Sequence, residues 1–314
     1  MTGALRIPDE LNWLHGMAGG PQWLAGLPDR LATCAARWSL RVGPPFGYGM
    51  TSLVVPADLP DGTRTVLKLQ FPDAESEHEA TALRRWNGEG AVRLLAHDPD
   101  LRALLVERCE PGTPLHTLPL DDALDALVGL LPRLWVPATP APDDTPRPTQ
   151  SPPDAAAGPA GQPFTTLADA VAGWTVRLPT AWERAGRPYD RRLVDLALDL
   201  LAGLADSQGE QVLVNQDLHA ANVLRAEREP WLVIDPKPLV GEREFSVIPM
   251  VRGTELGHSG AAVRRRLDRL SAELGLDRER VRGWTIGQTM AWSIAGDKVF
   301  HDHIEVVRWL LGEP

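Results

Sequence analysis

Residues 213–224 read LVNQDLHAANVL and set three polar side chains, Asp217, His219 and Asn222, between two short apolar runs. A fourth polar residue, Asp235, comes thirteen residues after Asn222, at the end of the apolar run WLVI. Polar groups at the ends of buried strands cost free energy unless they have partners. Carboxylate and amide oxygens suit a hard cation such as Mg²⁺, so these residues are candidates for a site that holds a metal ion beside phosphate oxygens.

The composition predicts a soluble protein of two lobes. A chain of 314 residues exceeds one compact core, and 43% hydrophobic with 24% charged residues is ordinary for a globular protein. No apolar stretch approaches the length that spans a bilayer, and the N-terminus lacks the basic start and apolar core of a secretory signal. The two cysteines, Cys34 and Cys109, form no disulfide framework. We therefore expect a cytoplasmic protein.

The net charge limits the classes of partner that the protein can bind. A net charge of -10 disfavours nucleic acid and anionic membranes, because both would repel this surface. It is compatible with a cationic small molecule, although it also serves solubility. Only Lys68, Lys237 and Lys298 among the 32 basic residues are lysine, so each is a candidate for a task that needs a compact ammonium group. We expect a monomer or a weak dimer.

The first third of the chain predicts a small sheet with one inserted helix. Apolar spacing predicts a helix over 23–38, and 73–86 predicts another, with acidic residues early and basic residues late. The predicted strands are SLRVG, TSLVVP, RTVLKLQF, VRLLAHD and RALLVERC, with Gly62 in the turn of a hairpin. The pattern is α+β, and we expect an N-terminal lobe over 1–108.

The remainder, 109–314, predicts a mostly helical lobe. Helices are expected over 121–135, 165–185 and 188–207, and three more from about 261 to the end, with a small hairpin around the opening stretch. Residues 137–163 hold nine of the 29 prolines and almost nothing that could pack, which predicts a flexible Pro/Ala-rich insertion inside this lobe.

Two further signals lie in the predicted sheet. Gly47, Gly49 and Ser52 have the spacing G-x-G-x-x-S, in which glycines let backbone N–H groups approach phosphates, although glycines in a turn more often serve backbone conformation. Lys68 follows nineteen residues after Gly49 inside an apolar strand, where an ammonium needs a partner. Among the acidic residues of the next helix we choose Glu79, because it should face the sheet.

The order of these elements predicts phosphoryl transfer. Asp217 and Asn222 stand five apart in D-L-x-x-x-N, the interval of the kinase catalytic loop, where the Asp orients the substrate hydroxyl and the Asn binds Mg²⁺. Asp235 follows its strand as the metal-binding Asp of D-F-G does, and a strand Lys paired with a helix Glu grips phosphates. Each residue alone could cap a helix or form a turn, but five elements in this order favour a kinase.

The chain resembles the aminoglycoside phosphotransferase branch of the protein-kinase-like fold, within it the streptomycin 6-phosphotransferase and hydroxyurea resistance kinase group. The resemblance rests on LLVERCEPGTPL, QDLHAANVL and above all EREPWLVIDPKPLVG. It implies a bilobal small-molecule kinase that uses ATP, or GTP, with Mg²⁺. It also implies that Glu107, Arg108 and Cys109 meet the adenine edge, and that His219 braces the loop. The family usually has His where this chain has Asn215, so we expect Asn215 to act as a hydrogen-bonding brace.

The acceptor is expected to bind in the helical lobe. Its carboxylates suit amino or guanidino groups, and its aromatic residues suit sugar faces, although solvated helix surfaces and core packing are the ordinary roles. The candidate acceptor residues are Glu255, Trp292, Asp297, His301 and Asp302. Three functions stay open: a kinase for streptomycin-like aminoglycosides, a kinase for an amino sugar such as glucosamine or for hydroxyurea, and a nucleotide-binding pseudokinase.

Overall fold

The computed structural model describes residues 5–47, 49–137 and 164–313. Pro137 is described and forms an isolated antiparallel bridge with Val212. The rest of the predicted insertion, 138–163, lies outside the described residues. No helix in the described ranges is long and apolar enough to cross a membrane.

The predicted small sheet is present as five antiparallel strands in the order β1-β2-β3-β5-β4. The strands are β1 Arg41–Val42, β2 Ser52–Asp58, β3 Arg64–Gln70, β4 Leu94–Asp98 and β5 Ala103–Glu107. Lys68 pairs with Val54 of β2 and with Leu104 of β5, so it lies in the central strand. Gly62 turns the β2–β3 hairpin at a φ of 89°, a conformation that glycine adopts without strain.

Side chains alternate along a strand, so the two faces of the sheet contact different helices. Helix α1, Gly20–Arg37, packs its apolar side against the face that carries Leu67 and Leu69. Lys68 points to the opposite face, where helix α2, Glu79–Trp86, begins. Helix α2 is shorter than predicted, because Asp73 accepts the backbone N–H groups of Glu75 and Ser76 and so stabilises a turn before it.

The helical part of the chain packs around α5 and α8. Its helices are α3 Leu120–Leu134, α4 Leu167–Arg184, α5 Arg191–Asp206, α6 Ile248–Arg252, α7 Gly260–Leu274, α8 Arg278–Ala291 and α9 His301–Leu310. The predicted helices of this part are all present. The 3₁₀ helix Arg243–Val247 and α6 were not predicted, because their short span gives no helical period.

Three short antiparallel pairs complete this part and carry the opening stretch. The strands are β6 Gln211–Asn215, β7 Val223–Arg225, β8 Trp231–Val233, β9 Pro238–Glu242, β10 Ile294–Ala295 and β11 Lys298–Val299. Strand β6 pairs with β9, and β7 with β8. The turn from β6 to β7 and the turn from β8 to β9 therefore lie side by side, and they hold Asp217, Asn222 and Asp235.

Candidate active site

Lys68 has the partner that the sequence predicts and a second one. Its Nζ lies 2.5 Å from Glu79 Oε2 and also contacts Asp235 Oδ1. The side chains of Lys68 and Glu79 are 8% and 2% exposed. Burial raises the pKa of Glu79 to about 7 against the attraction of Lys68. Burial lowers the pKa of Lys68, but the two carboxylates outweigh it and the net shift is upward, so Lys68 stays a cation.

The loop after β6 brings Asp217 and Asn222 together. Asn222 Nδ2 donates to the backbone oxygen of Asp217 at 3.1 Å, and the N–H of Ile234 donates to the backbone oxygen of Asn222 at 2.9 Å. The second bond ties this loop to the residue that precedes Asp235. Residues far apart in sequence thus form one cluster with the sheet lysine.

Asn215 braces this cluster from β6. Its Oδ1 accepts the N–H of Asp217 at 3.0 Å and the N–H of Lys237 at 2.9 Å. The side chain is buried, so these two bonds are shielded from competing water. With these two hydrogen bonds Asn215 is placed to brace the loop, as expected.

Asp235 is held in an uncommon backbone conformation. Its φ is 50°, in the left-handed region that a residue with a Cβ adopts at a cost. Its side chain is 46% exposed, and one carboxylate oxygen binds Lys68. Burial raises the pKa of Asp235, but Lys68 outweighs burial and lowers it. Asp235 is therefore an ionised carboxylate with one oxygen accessible to a ligand.

The glycine-rich turn lies at the start of β2. A Cβ on Gly49 would lie 2.0 Å from the backbone oxygen of Ser52, so only glycine fits there. Ser52 is buried, and Gly47 lies beside the Glu10 carboxylate. These contacts show that the turn needs glycine for its backbone conformation. The phosphate-binding role of Gly47, Gly49 and Ser52 stays a prediction.

The predicted adenine-binding segment joins the sheet to the helical part. The Glu107 carboxylate accepts two bonds from Arg228, at 2.8 and 2.9 Å. The Arg108 guanidinium lies 5.9 Å from the centre of the Phe46 ring. Cys109 is buried, and burial raises the pKa of its thiol to about 12. The side chains are thus held by the protein, and adenine contact through the backbone stays a prediction.

The structure gives Glu255 a bracing contact in addition to its predicted acceptor role. Its two carboxylate oxygens bind His219 Nδ1 at 2.9 Å and the N–H of Ala221 at 3.0 Å. Burial lowers the pKa of His219, but Glu255 and Asp217 outweigh it and raise it. His219 and Glu255 therefore clamp the loop that carries Asp217.

The other predicted acceptor residues lie between the end of α8 and the first turn of α9. Trp292 packs edge-on against Trp174, and the Arg252 guanidinium lies 4.5 Å from the centre of its ring. Asp297 is exposed in the β10–β11 turn, and α9 begins with His301 and Asp302. Among the described residues no hydrogen bond or ion pair joins Asp297, His301 or Asp302 to Asp217, so their role stays a prediction.

The motif analysis missed three residues of the site. Gln70 Nε2 donates to Glu79 Oε2 at 2.7 Å. Arg252 is 8% exposed, and burial lowers the pKa of its guanidinium to about 10 while Asp217 opposes that shift. Lys237 Nζ lies 3.3 Å from Asp217 Oδ2. Only Lys237 had a signal in the sequence, the scarcity of lysine.

The fold matches solved structures whose names describe kinases and phosphotransferases. The fold matches a choline/ethanolamine kinase family protein from Mesorhizobium loti with a TM-score of 0.60 and 12% identity, over 93% of this chain and 96% of that chain. It also matches a thermostable mutant of aminoglycoside phosphotransferase APH(4)-Ia in a ternary complex with AMP-PNP and hygromycin B, with a TM-score of 0.53 and 17% identity, over 90% and 95%. The predicted bilobal protein-kinase-like α+β fold is confirmed.

The chain belongs to the aminoglycoside/hydroxyurea antibiotic resistance kinase family, whose model matches residues 37–297. It is 39% identical to a hydroxyurea phosphotransferase from Kitasatospora aureofaciens, over 94% of this chain and 82% of that protein. It is 37% identical to a streptomycin 6-kinase from Streptomyces griseus, over 92% and 91%. The predicted family and reaction class, an ATP-dependent phosphotransferase, are confirmed.

Proposed function

We propose that this protein transfers the γ-phosphoryl group of ATP to a hydroxyl group of a streptomycin-like aminoglycoside. The observation that carries the proposal is the convergence of the ion-paired Lys68 and Asp235 with the loop of Asp217 and Asn222. Phosphoryl transfer needs little covalent work from the protein, so positioning and charge neutralisation supply most of the rate.

In the proposed reaction Asp217 orients the acceptor hydroxyl in line with the γ-phosphorus. The hydroxyl oxygen forms a bond to that phosphorus, its proton passes to the Asp217 carboxylate, and the bond to the bridging oxygen breaks as ADP leaves. Lys68, fixed by Glu79, binds oxygens of the remaining phosphates. Asn215, His219 and the Glu255 clamp hold the loop in place.

Asn222 and Asp235 present oxygen atoms that suit a divalent cation. Asn222 uses its Nδ2 to bond within the loop, which leaves its Oδ1 as a ligand oxygen. Asp235 uses one oxygen for Lys68 and is half exposed. A Mg²⁺ ion held there would neutralise phosphate charge.

Two observations favour a cationic acceptor. Glu75 and Asp217 both contact the Lys237 ammonium, so carboxylates from both parts of the chain lie close together at the site. Carboxylates near the acceptor hydroxyl attract amino and guanidino groups. The relatives named for streptomycin match over slightly more than nine-tenths of their length, which supports this acceptor class.

A hydroxyurea acceptor is the second candidate, because the relative at 39% identity is named for it. The same residues would perform that reaction.

We also propose that residues 1–108 bind the nucleotide and that 109–314 supply the catalytic loop and bind the acceptor through the predicted residues.

The test is an acceptor screen of streptomycin, other aminoglycosides, glucosamine and hydroxyurea with ATP or GTP and Mg²⁺. ADP or GDP release is followed, and mass spectrometry identifies a product heavier by one phosphoryl group. We expect the highest kcat/KM with streptomycin and ATP. Asp217→Asn should lower kcat by roughly 10³-fold and leave ATP affinity unchanged. Preference for hydroxyurea would favour the second candidate, and no acceptor-dependent nucleotide diphosphate release would overturn the proposal.

A further inference from the structure

Lys237 has a fixed position beside the catalytic loop but no part in the mechanism above. Its N–H donates to Asn215 Oδ1 at 2.9 Å, and its backbone oxygen accepts the N–H of Gln216 at 3.0 Å. The main chain is thus bound on both sides to the end of β6. Because Asn215 also binds the N–H of Asp217, one carboxamide sets the spacing between Asp217 and Lys237.

The ammonium group of Lys237 lies between two carboxylates. Its Nζ is 3.3 Å from Asp217 Oδ2 and 3.2 Å from Glu75 Oε2. Glu75 lies in the turn before α2, so Lys237 joins the sheet side of the site to the catalytic loop. The Lys237 side chain is 23% exposed, which shields these pairs in part.

Lys68 lies elsewhere in the site, because its ammonium pairs with Glu79 and Asp235 and its side chain is only 8% exposed. The phosphoryl group has to leave a nucleotide held at Asp235 and arrive at a hydroxyl held at Asp217. Lys237 is the lysine that has Asp217 as a direct neighbour. A cation there lies directly beside the carboxylate that orients the acceptor hydroxyl.

We propose that Lys237 is a second phosphate-binding lysine of this enzyme, whose ammonium leaves Asp217 to bind the oxygens of the phosphoryl group in flight. This inference rests on the proposed function. The bond changes are those already described, and Lys237 keeps its protons and donates hydrogen bonds only. Glu75 keeps the ammonium in place when Asp217 takes up the acceptor hydroxyl. The compact ammonium suits this role, since it presents three donors around a point charge.

The test compares Lys237→Met with wild type in binding and in turnover. Calorimetry with Mg²⁺ measures the affinity for ADP and for AMP-PNP, which differ by the γ-phosphoryl group. We expect Lys237→Met to weaken AMP-PNP binding about tenfold and leave ADP binding within about twofold, as for one lost charge-assisted hydrogen bond. With an acceptor that wild type uses, kcat should fall by about 10²-fold. Lys298→Met, the matched control on β11, should change neither affinity.

The outcomes separate this role from a structural one. If Lys237 only links Glu75 to the loop, its loss would weaken ADP and AMP-PNP alike or change neither, and that result would overturn the proposal. Should Lys237→Met fail to fold, Lys237→Gln, which also lacks the positive charge, takes its place with the same expectation. The binding comparison needs no acceptor, so it stands even if the acceptor screen finds none, and the two proposals can fail separately.

Discussion

Asn215 illustrates how one buried side chain can set the geometry of a site. Its oxygen accepts two backbone N–H groups from the two turns that carry Asp217 and Lys237. A buried N–H group without a partner costs more than an ordinary hydrogen bond contributes, because the desolvation penalty is not repaid. The carboxamide therefore stabilises the fold and the spacing of the charges together.

Asn215→Ala should lower both stability and turnover. Loss of the acceptor leaves two N–H groups unpaired, and we expect the free energy of unfolding to fall by about 1–3 kcal/mol. Turnover should fall at least about tenfold, because a shift of about 1 Å in catalytic groups is costly. Urea unfolding and steady-state kinetics measure the two effects. Gln211→Ala, at the exposed start of the same strand, is the control, and equal behaviour of the two variants would contradict the bracing role.

Helices α5 and α8 approach closely because α8 has glycine at the contact. A Cβ on Gly287 would lie 2.8 Å from the Cγ and Cδ2 atoms of Leu201, closer than packed carbon atoms tolerate. Leu201 is fully buried, so it has little room to move. This contact sets the spacing of two central helices of the helical part, and the interiors of proteins leave few voids to absorb such a change.

Gly287→Ala should destabilise the protein by about 1–3 kcal/mol through overpacking, although alanine favours helix. Gly203→Ala on α5 is the matched control, because a Cβ there meets nothing within 4 Å. It should stabilise the protein by about 0.5–1 kcal/mol through helix propensity. Thermal or urea unfolding measures the change in stability of both variants. A stabilised Gly287→Ala variant would show that the helices can separate without cost.

The residues that we propose for phosphoryl transfer come from both parts of the chain. Lys68 and Glu79 belong to the sheet and its helix, whereas Asp217 and Asp235 follow strands of the helical part. The contact between Lys68 and Asp235 spans 167 positions of sequence. A ligand that binds across this contact is expected to stabilise the folded chain as a whole, since it binds only when both sides are assembled.

AMP-PNP with Mg²⁺ should therefore raise the melting temperature. At a ligand concentration one hundred times Kd the expected gain is about 2.7 kcal/mol, a shift of several degrees for a chain of this size. Asp235→Asn, which loses the ionised ligand, should abolish most of the shift. Glu210→Gln, at an exposed ion pair with Arg243, should retain it. Scanning fluorimetry measures the shift, and a full shift in Asp235→Asn would count against the assigned ligand.

The sequence by itself determined the elements whose signals are local. Apolar periodicity located the five-stranded sheet and the long helices. The interval from Asp217 to Asn222, with the strand before Asp235, located the loop for which we propose the catalytic role. Lys68 and Glu79 were paired correctly because strand alternation and helix phase both reduce to spacing along the chain. Helix α6 was missed, since its five residues carry too few positions for a helical period to show.

Tertiary structure alone decided which charges meet. Three contacts join residues separated by 20 to 167 positions: the second partner of Lys68, the two ion pairs of Lys237 and the clamp of Glu255 on His219. Electrostatic and hydrogen-bond energies depend on distance in space, which spacing along the chain does not encode once the chain turns back on itself. The composition marked Lys237 as scarce, and only the fold placed its ammonium between Asp217 and Glu75.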